Sequence, residues 1–237
     1  MQLVRLGYSC NNACAFCAQG NLRSTEPPTS DDEIRSRLAS ISGQVVAFVG
    51  GEPTLYDWLF DWVREAKRAG ARSVLVQTNG RRLAYSSYAT ALAEAGTDAL
   101  DVSLHGSSAA MHEYHTSVPG SFAQTLMGMA HAREAGIRVG ATVVITRSNF
   151  RHLADITRVA HSRGATAIHF TLVAPHGKAS LAPMRLVPPA ELVRPHLLGA
   201  LRLARSLGVE TLAHRHASSE AVRERFAGLG DVATFPT

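Results

Sequence analysis

Residues 45–80 read VVAFVGGEPTLYDWLFDWVREAKRAGARSVLVQTNG. The stretch opens on a β-branched apolar run at 45–49, turns through Gly50-Gly51-Glu52-Pro53, and continues as an amphipathic segment at 56–69 that closes on Gly70. A second apolar run at 73–77 then ends on Thr78-Asn79-Gly80. Strand, helix, glycine stop and strand in that order make a βαβ unit, whose two strands lie parallel through a right-handed crossover.

The same alternation extends outward in both directions. Further apolar runs lie at 3–8, 99–104, 138–145 and 167–173, and amphipathic segments at 31–40, 84–95, 122–135, 150–163 and 189–207. Ser30-Asp31-Asp32-Glu33 offers an N-cap with acids in the first turn, and Gly70, Gly96, Gly136, Gly164 and Gly208 each follow a helical pattern where a C-terminal glycine belongs. Six strand–helix units predict an α/β fold, a partial (β/α)6 TIM-type barrel of parallel strands, two units short of a closed eight-stranded one. The expected organisation is a core over residues 1–178 and a C-terminal extension over 179–237. The extension carries a helix at 189–207, a short strand at 209–213 and a polar stretch with His214, Arg215 and His216.

Composition excludes little. Among 237 residues, 46% are hydrophobic and 18% charged, with no apolar run long enough to span a bilayer and no secretory signal pattern at the start, so a cytoplasmic location is expected. The net charge of +5 is spread along helix faces beside acids, as in Asp61, Arg64, Glu65, Lys67 and Arg68. That is the pattern of solvated faces and makes nucleic acid an unexpected partner.

Cysteine usage is more informative. The three cysteines all lie within Cys10-Asn-Asn-Ala-Cys14-Ala-Phe-Cys17, directly after the first strand. An odd number so clustered points to a metal or redox site in a reducing compartment rather than a disulfide framework. Three thiolates can each take one iron of a cubane cluster and leave one iron open. Structural zinc would need a fourth ligand, for which His105 or His176 would have to serve at an unusual spacing.

The C-x3-C-x-aromatic-C loop after a strand that opens a βα series resembles the radical S-adenosylmethionine (radical SAM) superfamily. The resemblance implies a [4Fe–4S] cluster on Cys10, Cys14 and Cys17, with S-adenosylmethionine chelating the open iron. It implies that Phe16 packs near the adenine and that Gly50, Gly51, Glu52 and Pro53, the family's GGE motif, bind the methionine end. Thr78, Asn79 and Ser103 at the third and fourth strand ends, and Asn149 after the fifth, are the remaining expected cofactor contacts. His105 and Tyr8 are candidates for catalytic roles on substrate, with His176 and Arg147 as further substrate candidates. His112 and His115, in a polar segment, read as surface residues. The expected partners are S-adenosylmethionine, a reductant such as flavodoxin or ferredoxin, and a small-molecule or peptide substrate, without a membrane. The expected activity is reductive cleavage of S-adenosylmethionine to a radical that takes hydrogen from that substrate, in an oxygen-sensitive enzyme.

The core is similar to the cofactor-biosynthesis and peptide-maturation branch, which includes the enzyme of the first step of molybdenum cofactor synthesis. Auxiliary-cluster maturases and thiol-quenching epimerases need further cysteines, and none follows Cys17. Rearrangement, fragmentation, coupling, oxidation or activation of a glycyl-radical enzyme stays open. An iron–sulfur electron carrier or sensor is the alternative of another class, but it leaves the convergence of GGEP, TNG and Ser103 unexplained.

Overall fold

A computed structural model of the chain describes residues 1–212. Seven strands follow one another in chain order, with β1 and β7 at the ends of the series: β1 Gln2–Arg5, β2 Val45–Val49, β3 Ser73–Thr78, β4 Ala99–Ser103, β5 Arg138–Ile145, β6 Ala165–Leu172 and β7 Glu210–Leu212. The pairings β1–β2, β2–β3, β3–β4 and β6–β7 are parallel, so the α/β architecture expected from the alternation is present. The chain forms two compact units, and β5 contributes residues to both. The first unit comprises Met1–Ala13, Gln19–Ser103 and Ala123–Val139; the second comprises Cys14–Ala18, Leu104–Phe122 and the described residues from Gly140 onward.

In the first unit the register runs Gln2 to Val46, Val45 to Ser73 and Leu75 to Ala99. Val46, Ala47 and Phe48 are buried in succession, the mark of a strand covered on both faces. Four helices and a further helical segment belong here: α1 Leu22–Thr25, α2 Asp31–Leu38, α3 Leu59–Arg68, α4 Ser86–Glu94 and most of α6, Ser121–Glu134. α3 buries Leu59, Trp62, Val63 and Ala66, which the helical period places on one stripe. Each of its larger apolar side chains contributes about 1.5–3 kcal/mol by leaving water. Ser30 caps α2 as expected, its hydroxyl accepting from the Glu33 N–H at 3.3 Å. Gly70 stops α3 at φ +84°, a backbone region that side chains with a Cβ avoid.

In the second unit α7 Leu153–Ser162 buries Leu153, Ile156 and Ala160, and α9 Ala190–Ser206 buries Val193, Leu197, Ala200 and Ala204. Between them in sequence lies α8, Pro183–Leu186. A helix that the sequence did not announce, α5, spans Ala109–Thr116 and is capped by Ser108, which accepts from the Met111 N–H at 3.4 Å. Its buried residues are His112, His115 and Thr116, so its inward face carries almost no apolar signal. The surface reading of His112 and His115 is therefore corrected: both are fully buried. The polar stretch with His214, Arg215 and His216 lies outside the described residues.

Candidate functional site

The first unit builds the beginning of the cysteine loop. Beyond β1 the chain still pairs with the end of β2: Leu6 donates to Val49 O at 3.0 Å, Gly51 N–H to Gly7 O at 2.9 Å, and Glu52 N–H to Ser9 O at 2.8 Å. A Cβ on Gly51 would overlap the carbonyl oxygens of Tyr8 and Ser9, and one on Gly50 the carbonyl of Gly7. The two glycines thus let the main chain leading to Cys10 seat against them. Pro53 is buried at the start of a 3-10 turn, Pro53–Leu55.

Glu52 is fully buried and spends both carboxylate oxygens inside the fold. Oε1 accepts from Thr54 N–H at 3.1 Å and from the hydroxyls of Thr54 and Thr78 at 2.7 Å each, and Oε2 accepts from Asn79 N–H at 2.6 Å. Burial pushes its pKa above the ordinary carboxylate value, and the four donors work against that shift. Glu52 therefore ties the ends of β2 and β3 together. Asn79 continues the network, its Nδ2 donating to Asn11 Oδ1 at 2.6 Å and its Oδ1 accepting from Arg81 N–H at 3.0 Å. Asn12 N–H reaches Cys10 Sγ at 3.4 Å. Ser103 ends β4 half-buried, and Tyr8, also half-buried, accepts from Arg5 Nη1 at 2.7 Å through its hydroxyl.

The second unit builds the rest of the loop. Cys17 N–H donates to Cys14 O at 3.2 Å, which turns the chain, and Ala15 N–H donates to His115 O at 3.1 Å. Lys178 N–H holds the Cys17 carbonyl at 2.9 Å, and a Cβ on Gly177 would overlap the carbonyls of Cys17 and Ala18. Phe16 packs against Val173, Ala179 and Leu186, with the His105 ring edge-on at 4.9 Å between centroids and His115 at 5.8 Å.

His105, His115 and His112, which stacks on His105, are held in defined tautomers. His105 Nδ1 accepts from Val144 N–H at 3.3 Å, so its proton sits on Nε2. His112 Nδ1 likewise accepts from His105 N–H at 3.2 Å. His115 bonds Met111 O at 2.7 Å through Nδ1, which must donate, leaving Nε2 to accept from the hydroxyls of Thr146 at 2.8 Å and Ser148 at 2.9 Å. Burial, more than neighbouring charge, lowers all three pKa values, His105 well below the ordinary value and His112 to about 4. Around neutral pH the cluster is uncharged, so His105 offers a hydrogen-bond donor rather than a titrating base. Asn149 is buried and fully engaged: Oδ1 accepts from Thr146 N–H at 2.8 Å, and Nδ2 donates to His105 O at 3.0 Å and Val144 O at 2.9 Å. His176 and Arg147 are exposed.

Cys10 belongs to the first unit and Cys14 and Cys17 to the second; all three are half-buried and none is in a disulfide. Among the described residues no three His, Cys, Asp or Glu side chains are gathered as a metal site. Fit to a cluster rests on the donor set itself. Three thiols on one loop, with the Cys10 carbonyl held by the Arg23 guanidinium and those of Cys14 and Cys17 by backbone N–H groups, suit a cubane with one open iron.

Comparison with known proteins agrees with this chemistry. The profile of the Radical SAM superfamily matches residues 4–160. The chain belongs to that superfamily, whose cofactors are a [4Fe–4S] cluster and S-adenosylmethionine. It is 30% identical over 176 residues to an AdoMet-dependent heme synthase of Oleidesulfovibrio alaskensis, covering 73% of this chain and 45% of that protein. It is 31% identical over 179 residues to a probable GTP 3',8-cyclase of Sulfurisphaera tokodaii, covering 73% of this chain and 56% of the relative. The chain thus spans about half the length of these relatives. Among solved structures, Streptococcus suis SuiB bound to precursor peptide SuiA superposes with a TM-score of 0.71 at 17% identity, over 90% of this chain and 49% of SuiB, a likeness of fold.

Sequence reasoning missed two arginines, Arg23 and Arg81, that grip the cysteine loop from the first unit. Their one visible signal is that Arg81 directly follows Thr78-Asn79-Gly80.

Proposed function

We propose that Cys10, Cys14 and Cys17 hold the [4Fe–4S] cluster and that S-adenosylmethionine binds its open iron. When bound and reduced, the pair supplies a 5′-deoxyadenosyl radical that removes a hydrogen atom from substrate. The observation that carries the reading is the seating of the loop. The carbonyls of Tyr8 and Ser9 lie where only glycine at position 51 leaves room, so the GGE motif and the first cysteine are built as one piece.

The chain's own residues have separable tasks. Glu52, Thr78 and Asn79 lock the second and third strand ends, leaving backbone atoms of Gly50 and Gly51 and the Ser103 hydroxyl as the groups suited to the polar end of the cofactor. Phe16 supplies an apolar wall for adenine, buttressed by His105 and His115. The Asn149 side chain, with its oxygen and both amide contacts inside the fold, acts by shaping the chain around His105. His105, as a neutral Nε2–H donor, orients an acceptor on substrate or cofactor. Tyr8 is a second group for substrate.

The substrate is a small molecule or a peptide, the two classes that the names of the relatives and of SuiB's complex span. A flavodoxin or ferredoxin supplies the electron, and a cytoplasmic location suits three cysteines without a disulfide. Anaerobic reconstitution tests the reading. The chain should take up about four irons and four sulfides and release 5′-deoxyadenosine after reduction. Iron bound without any cleavage would favour an electron carrier instead.

A further inference from the structure

Arg23 stands on α1, a four-residue helix that buries none of its side chains. Its Nη1 donates to Asn12 O at 2.8 Å and its Nη2 to the carbonyl of Cys10. Arg81 follows the turn at the end of β3. Its Nη1 donates to Asn11 O at 2.5 Å and Asn12 Oδ1 at 3.0 Å, and its Nε to Gln124 Oε1 at 2.6 Å. Two guanidinium groups therefore converge on three consecutive residues, the first of them Cys10.

Every acceptor they meet is neutral. Arg35, Arg37, Arg64, Arg68, Arg82, Arg158 and Lys67 each face a carboxylate, whereas Arg23 and Arg81, like Arg5, Arg147 and Arg185, do not among the described residues. A guanidinium does not lose its proton in a protein, so both keep a full positive charge at the loop. Both are half-buried, which weakens screening relative to an exposed pair.

We propose that Arg23 and Arg81 are positioning residues whose uncompensated charge favours the reduced state of the cluster. The inference rests on the reading that Cys10 is a ligand. Reduction adds one electron, drawn from an external reductant, and makes a three-thiolate cluster more negative by one charge. Fixed positive charge nearby stabilises that more negative state, and hydrogen bonding around a cluster tunes it in the same way. The same contacts hold the carbonyls of residues 10–12 and so fix where the Cys10 thiolate stands.

The test uses the reconstituted chain without S-adenosylmethionine: wild type, Arg23→Gln, Arg23→Lys and Arg81→Gln. Iron is counted first, and the paramagnetic signal of the reduced cluster is then followed through a redox titration. At the potential that half-reduces wild type, Arg23→Gln and Arg81→Gln should each hold roughly threefold less reduced cluster. Arg23→Lys keeps the charge without the fork and should stay near wild type. Because α1 buries nothing, the Arg23 variants keep the fold. Loaded glutamine variants that reduce like wild type would overturn the proposal, as would an Arg23→Lys drop equal to that of Arg23→Gln. Failure of wild type itself to take up iron would instead refute the ligand reading.

Discussion

Gly51→Ala adds one methyl group where the structure has no room for it. The new Cβ would overlap two main-chain oxygens, those of Tyr8 and Ser9, and no rotamer change can relieve a clash with backbone. Overpacking of this kind costs about 1–3 kcal/mol. Relief requires the segments to part, which endangers the hydrogen bonds Gly51 N–H to Gly7 O and Glu52 N–H to Ser9 O, each worth about 1 kcal/mol. The expected loss is therefore about 3–5 kcal/mol, a large share of the roughly 5–15 kcal/mol that keeps a protein folded. Gly199, inside α9, is the control: a Cβ there meets nothing within 4 Å. Gly199→Ala should stabilise by about 0.5–1 kcal/mol. Urea unfolding of the iron-free variants measures both, and equal midpoints for the two alanine variants would refute the seating argument.

Two further predictions concern buried titratable groups. His112 has a depressed pKa of about 4, so it contributes stability above its ordinary value of 6.5 that is lost as pH falls through about 4. The shift corresponds to about 3 kcal/mol. His112→Asn keeps an acceptor for His105 N–H without titrating. It should flatten the fall of the urea midpoint between about pH 6.5 and 4, and an unchanged fall would count against it. Glu52→Gln turns an acceptor into a donor somewhere in a ring of four donors, with Asn79 N–H only 2.6 Å away. Thermal unfolding should show a loss of about 1–3 kcal/mol, and wild-type stability in that variant would mean the carboxylate is already protonated and tolerant.

The fold was legible because its signals are local. The apolar runs at 45–49 and 138–145 coincide with β2 and β5, and glycine at 70 and 136 closes α3 and α6 with positive φ where a helix end was expected. The first run, expected over 3–8, ends at Arg5 because the chain leaves the regular ladder at Gly7, φ +154°, to enter the cysteine loop. α5 was invisible because the residues it buries are histidines and a threonine, whose burial depends on partners brought from His105, Ser121, Thr146 and Ser148.

The candidate site divides in the same way. The cysteine spacing and the GGEP string can be read in one dimension. That Gly51 faces Tyr8 and Ser9, that Glu52 is consumed by Thr54, Thr78 and Asn79, and that Arg23 and Arg81 hold residues 10–12 are facts of long-range contact. An arginine in a short exposed helix carries no periodic signal that separates it from a solvated one.

The most direct measurement is 5′-deoxyadenosine released per chain by the reduced, reconstituted protein and by its three single variants Cys10→Ala, Cys14→Ala and Cys17→Ala. Wild type should form it, and each variant should form none while losing most of its iron, because this chain has no other cysteine to take the vacant place. Cleavage at the wild-type level in any one of the three variants would contradict the account.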